Sequence, residues 1–287
     1  MTMRSSKLHI SFNPRRSIRL CLAAVLLAPA LPQAVQAAAS AWAETTGGRM
    51  RVVALPPDSD GIVEAILEIV PDEGWHTYWR APGNGGIPPE ISVDGSRNLT
   101  LSNIRYPAPE IIRYGNLSDF GYTSTVRFPL ELTQPIKGAS STLKLSAFVG
   151  VCADICVPFQ AELAVSLSSE TKPAANEAAL IKAARALLPE APSADFSVVE
   201  HTLSADKRQL TATIQLPSGV NADAIDVFAH LGAQAFKPGV LTEEKDGRVT
   251  VALEPNYLAK DATLSGQTIG VLVKAGMRAM ETDIQLP

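Results

Sequence analysis

Apolar and polar side chains alternate along much of the chain, which is the pattern of half-buried β-strands. Residues 63, 65, 67 and 69 are apolar and fall on one face of a strand, whereas Glu64 and Glu68 fall on the other. Similar runs cover residues 51–55, 99–104, 126–132, 143–149 and 159–167. Clusters of Pro, Gly, Asn and Asp separate these runs, and short strands at this spacing are typical of a β-sandwich.

The pattern changes after residue 168 and later returns to strands. Residues 171–189 carry apolar side chains at helical spacing, and a Pro-containing linker follows at 189–193. Strand-like runs resume at 196–203, 210–216, 224–230, 248–253, 269–275 and 280–285. The pattern therefore predicts an all-β fold of two immunoglobulin-like β-sandwich domains joined by a short helical linker. The predicted boundaries are 45–168 for the first domain, 169–194 for the helix and linker, and 195–287 for the second domain.

Residues 1–37 have the features of a cleaved export signal. They carry five basic side chains and no acidic one, an apolar run covers 20–28, and Val35-Gln36-Ala37 is a small-x-small cleavage pattern. The apolar run is shorter than the roughly 20 residues that span a bilayer, and no later segment reaches that length without charge. We therefore expect an exported mature chain with no direct membrane insertion.

The charge balance limits the classes of partner. Removal of residues 1–37 would take away five positive charges and no negative ones, which shifts the formal net charge from −4 to −9. So acidic a protein is a poor ligand for nucleic acid or an anionic membrane.

The second domain has no cysteine and no cluster of His with acidic residues, and no cofactor or bound metal is predicted.

The chemistry of the mature chain centres on Cys152 and Cys156, since the third cysteine, Cys21, lies inside the predicted signal. The runs before and after the pair both read as strands, so the two cysteines would flank the tip of a hairpin. Opposed Cα atoms in such a pair lie about 4.5–5.5 Å apart, which overlaps the range that a disulfide accepts. A bond closing so short a loop would contribute only about 2 kcal/mol to stability. Asp154 would oppose thiolate formation, which fits a reductant better than a strong oxidant.

Three kinds of function are compatible with this pair. It could exchange disulfides with other proteins, or it could be a structural crosslink in an exported binding or assembly module. A third possibility is copper handling, because thiolates select Cu(I). Against copper, the chain has no methionine-rich run near the cysteines.

The segment around the first tryptophans resembles a known family. The sequence WHTYWR at 75–80, with PG at 82–83 and GIPP at 86–89, is similar to the N-terminal periplasmic domain of the thiol:disulfide interchange protein DsbD. Tyr106-Pro107, the 115–122 stretch and the cysteine pair followed by Val157-Pro158 extend the resemblance. The closer likeness is to the ScsB (suppressor of copper sensitivity) type, whose exported region carries two β domains. The resemblance covers roughly residues 45–168 and continues more loosely through the second domain.

The resemblance implies a periplasmic relay of reducing equivalents. A membrane-embedded electron donor of the DsbD type would reduce the cysteine pair, which would then reduce thioredoxin-like proteins of the periplasm. Cys156 would attack the partner's disulfide and Cys152 would resolve the mixed disulfide. Two features depart from DsbD: the pair is more closely spaced, and residues up to Pro287 contain neither a transmembrane region nor a thioredoxin domain. We therefore expect the electron donor to be a separate protein.

Aromatic residues near these motifs have two interpretations each. Tyr114, Phe120 and Tyr122 could shield the thiols, as a cap loop does in the DsbD domain, or they could be ordinary packing residues. His76 could contact the cysteine site or be a strand residue bonded to backbone. The neighbouring aromatics at 75, 78 and 79 could form a partner surface, although large aromatic side chains more often belong to the core.

Overall fold

A computed structural model of the chain describes residues 39–115, 117–168 and 175–287, without the side chain of Tyr114. The export signal predicted at 1–37 lies outside the described residues, as does the start of the predicted helical linker. The described residues form two β-sandwiches, so the prediction of an all-β, immunoglobulin-like fold is confirmed. All of them belong to one compact unit.

The first sandwich consists of two antiparallel sheets that enclose an apolar core. One sheet contains, in spatial order, β1 (Ala43–Thr45), β2 (Gly48–Ala54), β3 (Ile62–Pro71), β9 (Val126–Thr133) and β6 (Thr100–Ile104). The other contains β11 (Cys156–Leu167), β10 (Ser141–Cys152), β4 (His76–Gly83), β8 (Leu117–Tyr122) and β7 (Glu110–Tyr114), with β5 (Glu90–Ser92) also paired to β10. On β11 the buried and exposed side chains alternate strictly from Phe159 to Leu167, as the sequence pattern predicts. One face of this strand is therefore core and the other faces solvent.

The outer face of the first sheet carries both a polar cluster and a helix. Glu68, predicted on the polar face, is almost fully buried there, between Arg51 at 2.7 Å and Arg127 at 2.6 Å on the two neighbouring strands. The helix α1 (Ala175–Ala186) packs against this face through Ile181 and Ala184. No helix within the described parts of the chain is both long and apolar enough to cross a membrane.

The second sandwich follows the helix and is also built from two antiparallel sheets. One contains, in order, β12 (Ser197–Leu203), β13 (Leu210–Gln215), β17 (Arg248–Leu253) and β16 (Val240–Lys245). The other contains β15 (Gln234–Ala235), β14 (Ile225–Leu231), β18 (Thr268–Ala275) and β19 (Arg278–Gln285), and a 3-10 turn, Ala222–Ala224, precedes β14. Its apolar residues form a separate core between these sheets.

The two sandwiches meet through a shared apolar contact at β4. Phe228 of β14 is fully buried and packs with the core of the first sandwich. Its ring lies 5.0 Å from that of Phe120 and 6.0 Å from that of Trp79. Beside it, Arg80 pairs with Glu281 of β19 at 2.8 Å. The strand that carries the resemblance motif therefore contacts the second sandwich directly.

Candidate functional site

The cysteine pair lies at the tip of the longest hairpin of the first sandwich. Strands β10 and β11 pair along their whole length, and the register ends with Cys152 opposite Cys156. Ala153, Asp154 and Ile155 form the loop, which is closed by a hydrogen bond from the Ala153 N–H to the Ile155 carbonyl at 3.0 Å. The two cysteines form a disulfide with Cα atoms 4.1 Å apart. The predicted hairpin is confirmed.

The two cysteines differ sharply in exposure. Cys152 is 1% exposed, because β10 is an inner strand and the residue is also paired with His76 of β4. Cys156 is exposed, because it begins the edge strand β11. Ile155, immediately before it, is 65% exposed. A partner approaching the hairpin tip therefore reaches Cys156 before Cys152, across an apolar side chain.

Strand β4 places the hydroxyl of Tyr78 beside the exposed cysteine, and His76 beside that hydroxyl. The hydroxyl oxygen of Tyr78 lies 3.3 Å from Sγ of Cys156 and 3.3 Å from Nε2 of His76. His76 is 5% exposed, and this burial lowers its pKa below the usual value, an effect that the negative charge of Asp119 partly opposes. His76 and Tyr78 are two positions apart, so they share one face of the strand.

Small residues bring Tyr78 to this position. A Cβ on Gly150 of β10 would lie 3.0 Å from the Tyr78 ring, and one on Gly86 would lie 2.5 Å from it. The loop that contains Gly86 is held by Asp119, whose Oδ1 accepts hydrogen bonds from the backbone N–H groups of Asn84 and Gly85 at 2.9 and 3.0 Å. The tyrosine ring is therefore enclosed between a strand and an anchored loop.

Two backbone features lie next to the cysteine pair. The Gly150 carbonyl accepts a hydrogen bond from Oγ1 of Thr77 at 2.8 Å, which joins β10 to β4 next to the cysteines. Pro158 lies opposite Gly150 on the edge strand. A proline is tolerated on an edge strand, because its missing N–H can fall on the side that pairs with no other strand. Pro158 also removes one donor from an edge that could otherwise pair with another chain.

The structure brings some of the predicted site residues to the cysteines and others to the core. His76 lies beside the pair. Phe120 is fully buried and packs against Trp79, with the two ring centroids 6.4 Å apart. Tyr122 is 7% exposed and donates its hydroxyl hydrogen to the Pro107 carbonyl at 2.8 Å; burial raises its pKa well above the usual value. The backbone of Tyr114 ends β7, but its side chain lies outside the described part. A capping role for these aromatics stays a prediction.

From the sequence, Tyr78 is predicted to be a core or partner-surface aromatic, with no link to the cysteines. It is 2% exposed, so the ring is core, but its hydroxyl reaches the sulfur. The available signal was its spacing of two from His76 within the family motif, which places both side chains on one face of a strand.

The described residues contain no cluster of side chains suited to bind a metal ion. Across 39–115, 117–168 and 175–287, no group of three or more His, Cys, Asp or Glu side chains is arranged to hold a metal ion.

The exposed cysteine is paired with a buried one at a hairpin tip of an immunoglobulin-like sandwich. These features define a class of protein: β-sandwiches that carry a disulfide within reach of partners. A comparison with known protein families finds a match for part of the chain. Residues 50–168 match the family model described as thiol:disulfide interchange protein DsbD, N-terminal. Over this region the chain is therefore similar to the DsbD N-terminal domain, and the resemblance found in the sequence is confirmed.

Solved structures extend the likeness to the whole fold. The N-terminal periplasmic domain of ScsB from Proteus mirabilis superposes with a TM-score of 0.69 at 22% identity, covering 87% of this chain and 98% of that one. At this identity the match shows a shared fold. The adhesin domain of Epf from Streptococcus pyogenes is matched over 86% of this chain and 79% of that one with a TM-score of 0.25 and 8% identity, which supports no argument. A comparison with curated protein sequences finds no match.

Proposed function

We propose that this protein is a periplasmic thiol–disulfide exchange protein that works through the Cys152–Cys156 pair. It receives reducing equivalents from a membrane-embedded donor of the DsbD type and passes them to thioredoxin-like proteins. The observation that carries the proposal is the difference in exposure between the two cysteines, because exchange needs one sulfur that partners can reach and a second that is shielded from them.

The chemistry follows from this difference. In the reduced protein the thiolate of Cys156 attacks a sulfur of the partner's disulfide, forming a mixed disulfide and releasing the partner's second cysteine as a thiolate that takes a proton from water. Cys152 then attacks Sγ of Cys156, which breaks the mixed disulfide and releases the partner's first cysteine. The partner gains two electrons and two protons, and this protein ends with the intramolecular disulfide.

Energetics favour exchange over a structural crosslink. A disulfide that closes a loop of about five residues contributes roughly 2 kcal/mol through chain entropy, against about 3 kcal/mol for a fifteen-residue loop. The first sandwich encloses an extensive apolar core of its own, so its fold does not depend on so small a contribution.

Location and domain roles complete the proposal. Residues 1–37 act as an export signal and are removed, residues 45–168 form the exchange domain, 169–194 the helix and linker, and 195–287 a supporting domain. The comparison structure is the N-terminal periplasmic domain of ScsB, which agrees with a periplasmic site of action.

Trapping tests the proposal directly. The reduced protein is mixed with an oxidised thioredoxin-fold protein, quenched with acid and resolved on a non-reducing gel. Cys152→Ala should accumulate the mixed disulfide because no thiol resolves it, whereas Cys156→Ala should form none. The proposal is contradicted if neither variant traps a species and both lose much of their thermal stability, since that pair of results describes a structural disulfide.

A further inference from the structure

The contact between Tyr78 and Cys156 has a direction that chemistry determines. Sγ of a cysteine in a disulfide carries no hydrogen, so at 3.3 Å the tyrosine hydroxyl is the donor and the sulfur the acceptor. The tyrosine oxygen can also accept a hydrogen bond, and Nε2 of His76 lies 3.3 Å from it. In the tautomer of His76 that carries its hydrogen on Nε2, the hydrogen bonds run from His76 through Tyr78 to Cys156.

The same direction holds when the disulfide is reduced and Cys156 ionises. A thiolate also carries no hydrogen, and a hydrogen bond to an ionised acceptor is stronger than one to a neutral acceptor. The tyrosine hydroxyl therefore stabilises the thiolate more than the thiol, which favours the charged form. The hairpin loop itself holds no Lys, Arg or His to do this.

We propose that Tyr78 is a catalytic hydrogen-bond donor to the sulfur of Cys156, and that His76 is a positioning residue that keeps the tyrosine hydroxyl aimed at that sulfur. This inference rests on the exchange function proposed above. It assigns the activation of the attacking thiol to the neighbouring strand β4.

Packing keeps this arrangement in place. Tyr78 is 2% exposed and its ring lies against Gly150, so it cannot rotate away without displacing β10. Water is largely excluded from the donor side, and a hydrogen bond in such an environment is electrostatically stronger than one in water. The side of Cys156 that faces solvent stays open for a partner.

The charged groups around the chain of hydrogen bonds are acidic. Asp119 of β8 acts on His76, and exposed Asp154 lies in the hairpin loop two residues before Cys156. Burial lowers the pKa of His76 and keeps the ring neutral near pH 7, so its Nε2 acts as an N–H donor in one tautomer. We therefore assign the activation of Cys156 to the hydrogen bond from Tyr78.

The test is the ionisation of Cys156, measured without any partner protein. In a Cys152→Ala background, the rate of alkylation by iodoacetamide is followed as a function of pH, and peptide mass spectrometry assigns the product to Cys156. Tyr78→Phe removes the hydroxyl and keeps the ring. We expect it to raise the pKa of the Cys156 thiol by about one unit and to slow alkylation at neutral pH roughly tenfold.

The positioning role has its own variants. His76→Leu should slow alkylation by a smaller factor, about threefold, because the tyrosine remains but is no longer oriented. His76→Gln, whose amide can also donate, should restore the rate. Tyr106→Phe is the matched control: it removes the hydroxyl of another buried tyrosine, one that packs on Phe128 with ring centroids 4.8 Å apart, and should leave the rate unchanged.

The inference is overturned if Tyr78→Phe leaves the thiol pKa unchanged, or if Tyr106→Phe raises it equally. Should Tyr78→Phe fail to fold, the comparison of His76→Leu with His76→Gln decides, and equal rates for the two reject the proposal. Failure of the exchange function would appear instead as an absence of mixed disulfide in the trapping experiment, with the alkylation rates unaffected.

Discussion

Phe228 offers the sharpest test of how the second sandwich supports the first. Its side chain belongs to β14 of the second sandwich, yet it is fully buried against Trp79 and Phe120 of the first. Phe228→Ala would leave a cavity at this contact and remove two aromatic pairs. We expect the free energy of unfolding to fall by about 3–5 kcal/mol, the usual cost of Phe→Ala in a core.

The mechanism of that loss can be separated from ordinary core damage. Trp79 is fully buried beside Phe228, so the folded variant should also show red-shifted tryptophan emission as water reaches the indole. Phe236→Ala is the matched control, because Phe236 is equally buried but packs within the core of the second sandwich. It should lower stability without changing the emission of the folded protein.

Urea unfolding followed by circular dichroism and by tryptophan emission provides both measurements. If the two sandwiches are coupled through Phe228, wild type should unfold in one transition seen by both probes. A loss of less than about 1 kcal/mol for Phe228→Ala, the level of a surface substitution, would rule out this coupling. Two separate transitions in wild type would equally refute it.

The remaining predictions concern charge and redox state. Glu68→Ala should lower the free energy of unfolding by about 3–5 kcal/mol, because it leaves two arginines without their buried carboxylate. Glu64→Ala on the same strand removes only a partly exposed ion pair and should cost less than about 1 kcal/mol. Equal costs for the two variants in thermal denaturation would contradict this. Burial and the positive charge of Arg80 lower the pKa of His230 to about 4, so the free energy of unfolding should decline as the pH falls from about 6.5 to about 4. His230→Gln should flatten this pH profile. An unchanged profile would show that other groups cause the decline. The disulfide should have a reduction potential between about −270 and −120 mV when equilibrated with redox buffers and trapped; a value below about −300 mV would indicate a structural bond.

The pH prediction depends on the environment of His230. Glu281 lies 4.0 Å from Nε2 of His230, but its carboxylate is already paired with Arg80 at 2.8 Å. Burial and the charge of Arg80 outweigh the opposing charge of Asp283, so the neutral form of the imidazole is favoured in the folded state. In the unfolded chain the same histidine takes up a proton near pH 6.5, which is why acid favours unfolding.

Elements with a local signal can be predicted from the amino-acid order alone. The strand Arg248–Leu253 was predicted with the same bounds that the structure shows, and the hairpin that ends in the cysteine pair was predicted with its loop. Both have strands with one buried and one exposed face, so alternation of side chains records them directly. The helix was predicted within 171–189 and is observed at Ala175–Ala186.

Strand β4 could not be found in this way. It is an inner strand whose side chains are almost all buried, from His76 through Pro82, and so it shows no alternation. The contact between Tyr78 and Cys156 joins residues 78 positions apart, and Phe228 reaches Trp79 from the other sandwich. Such contacts depend on which strands become neighbours in a sheet and on how the sandwiches pack. Only the tertiary structure decides them, because a side-chain pattern specifies which face of a strand is buried but not which strand lies beside it.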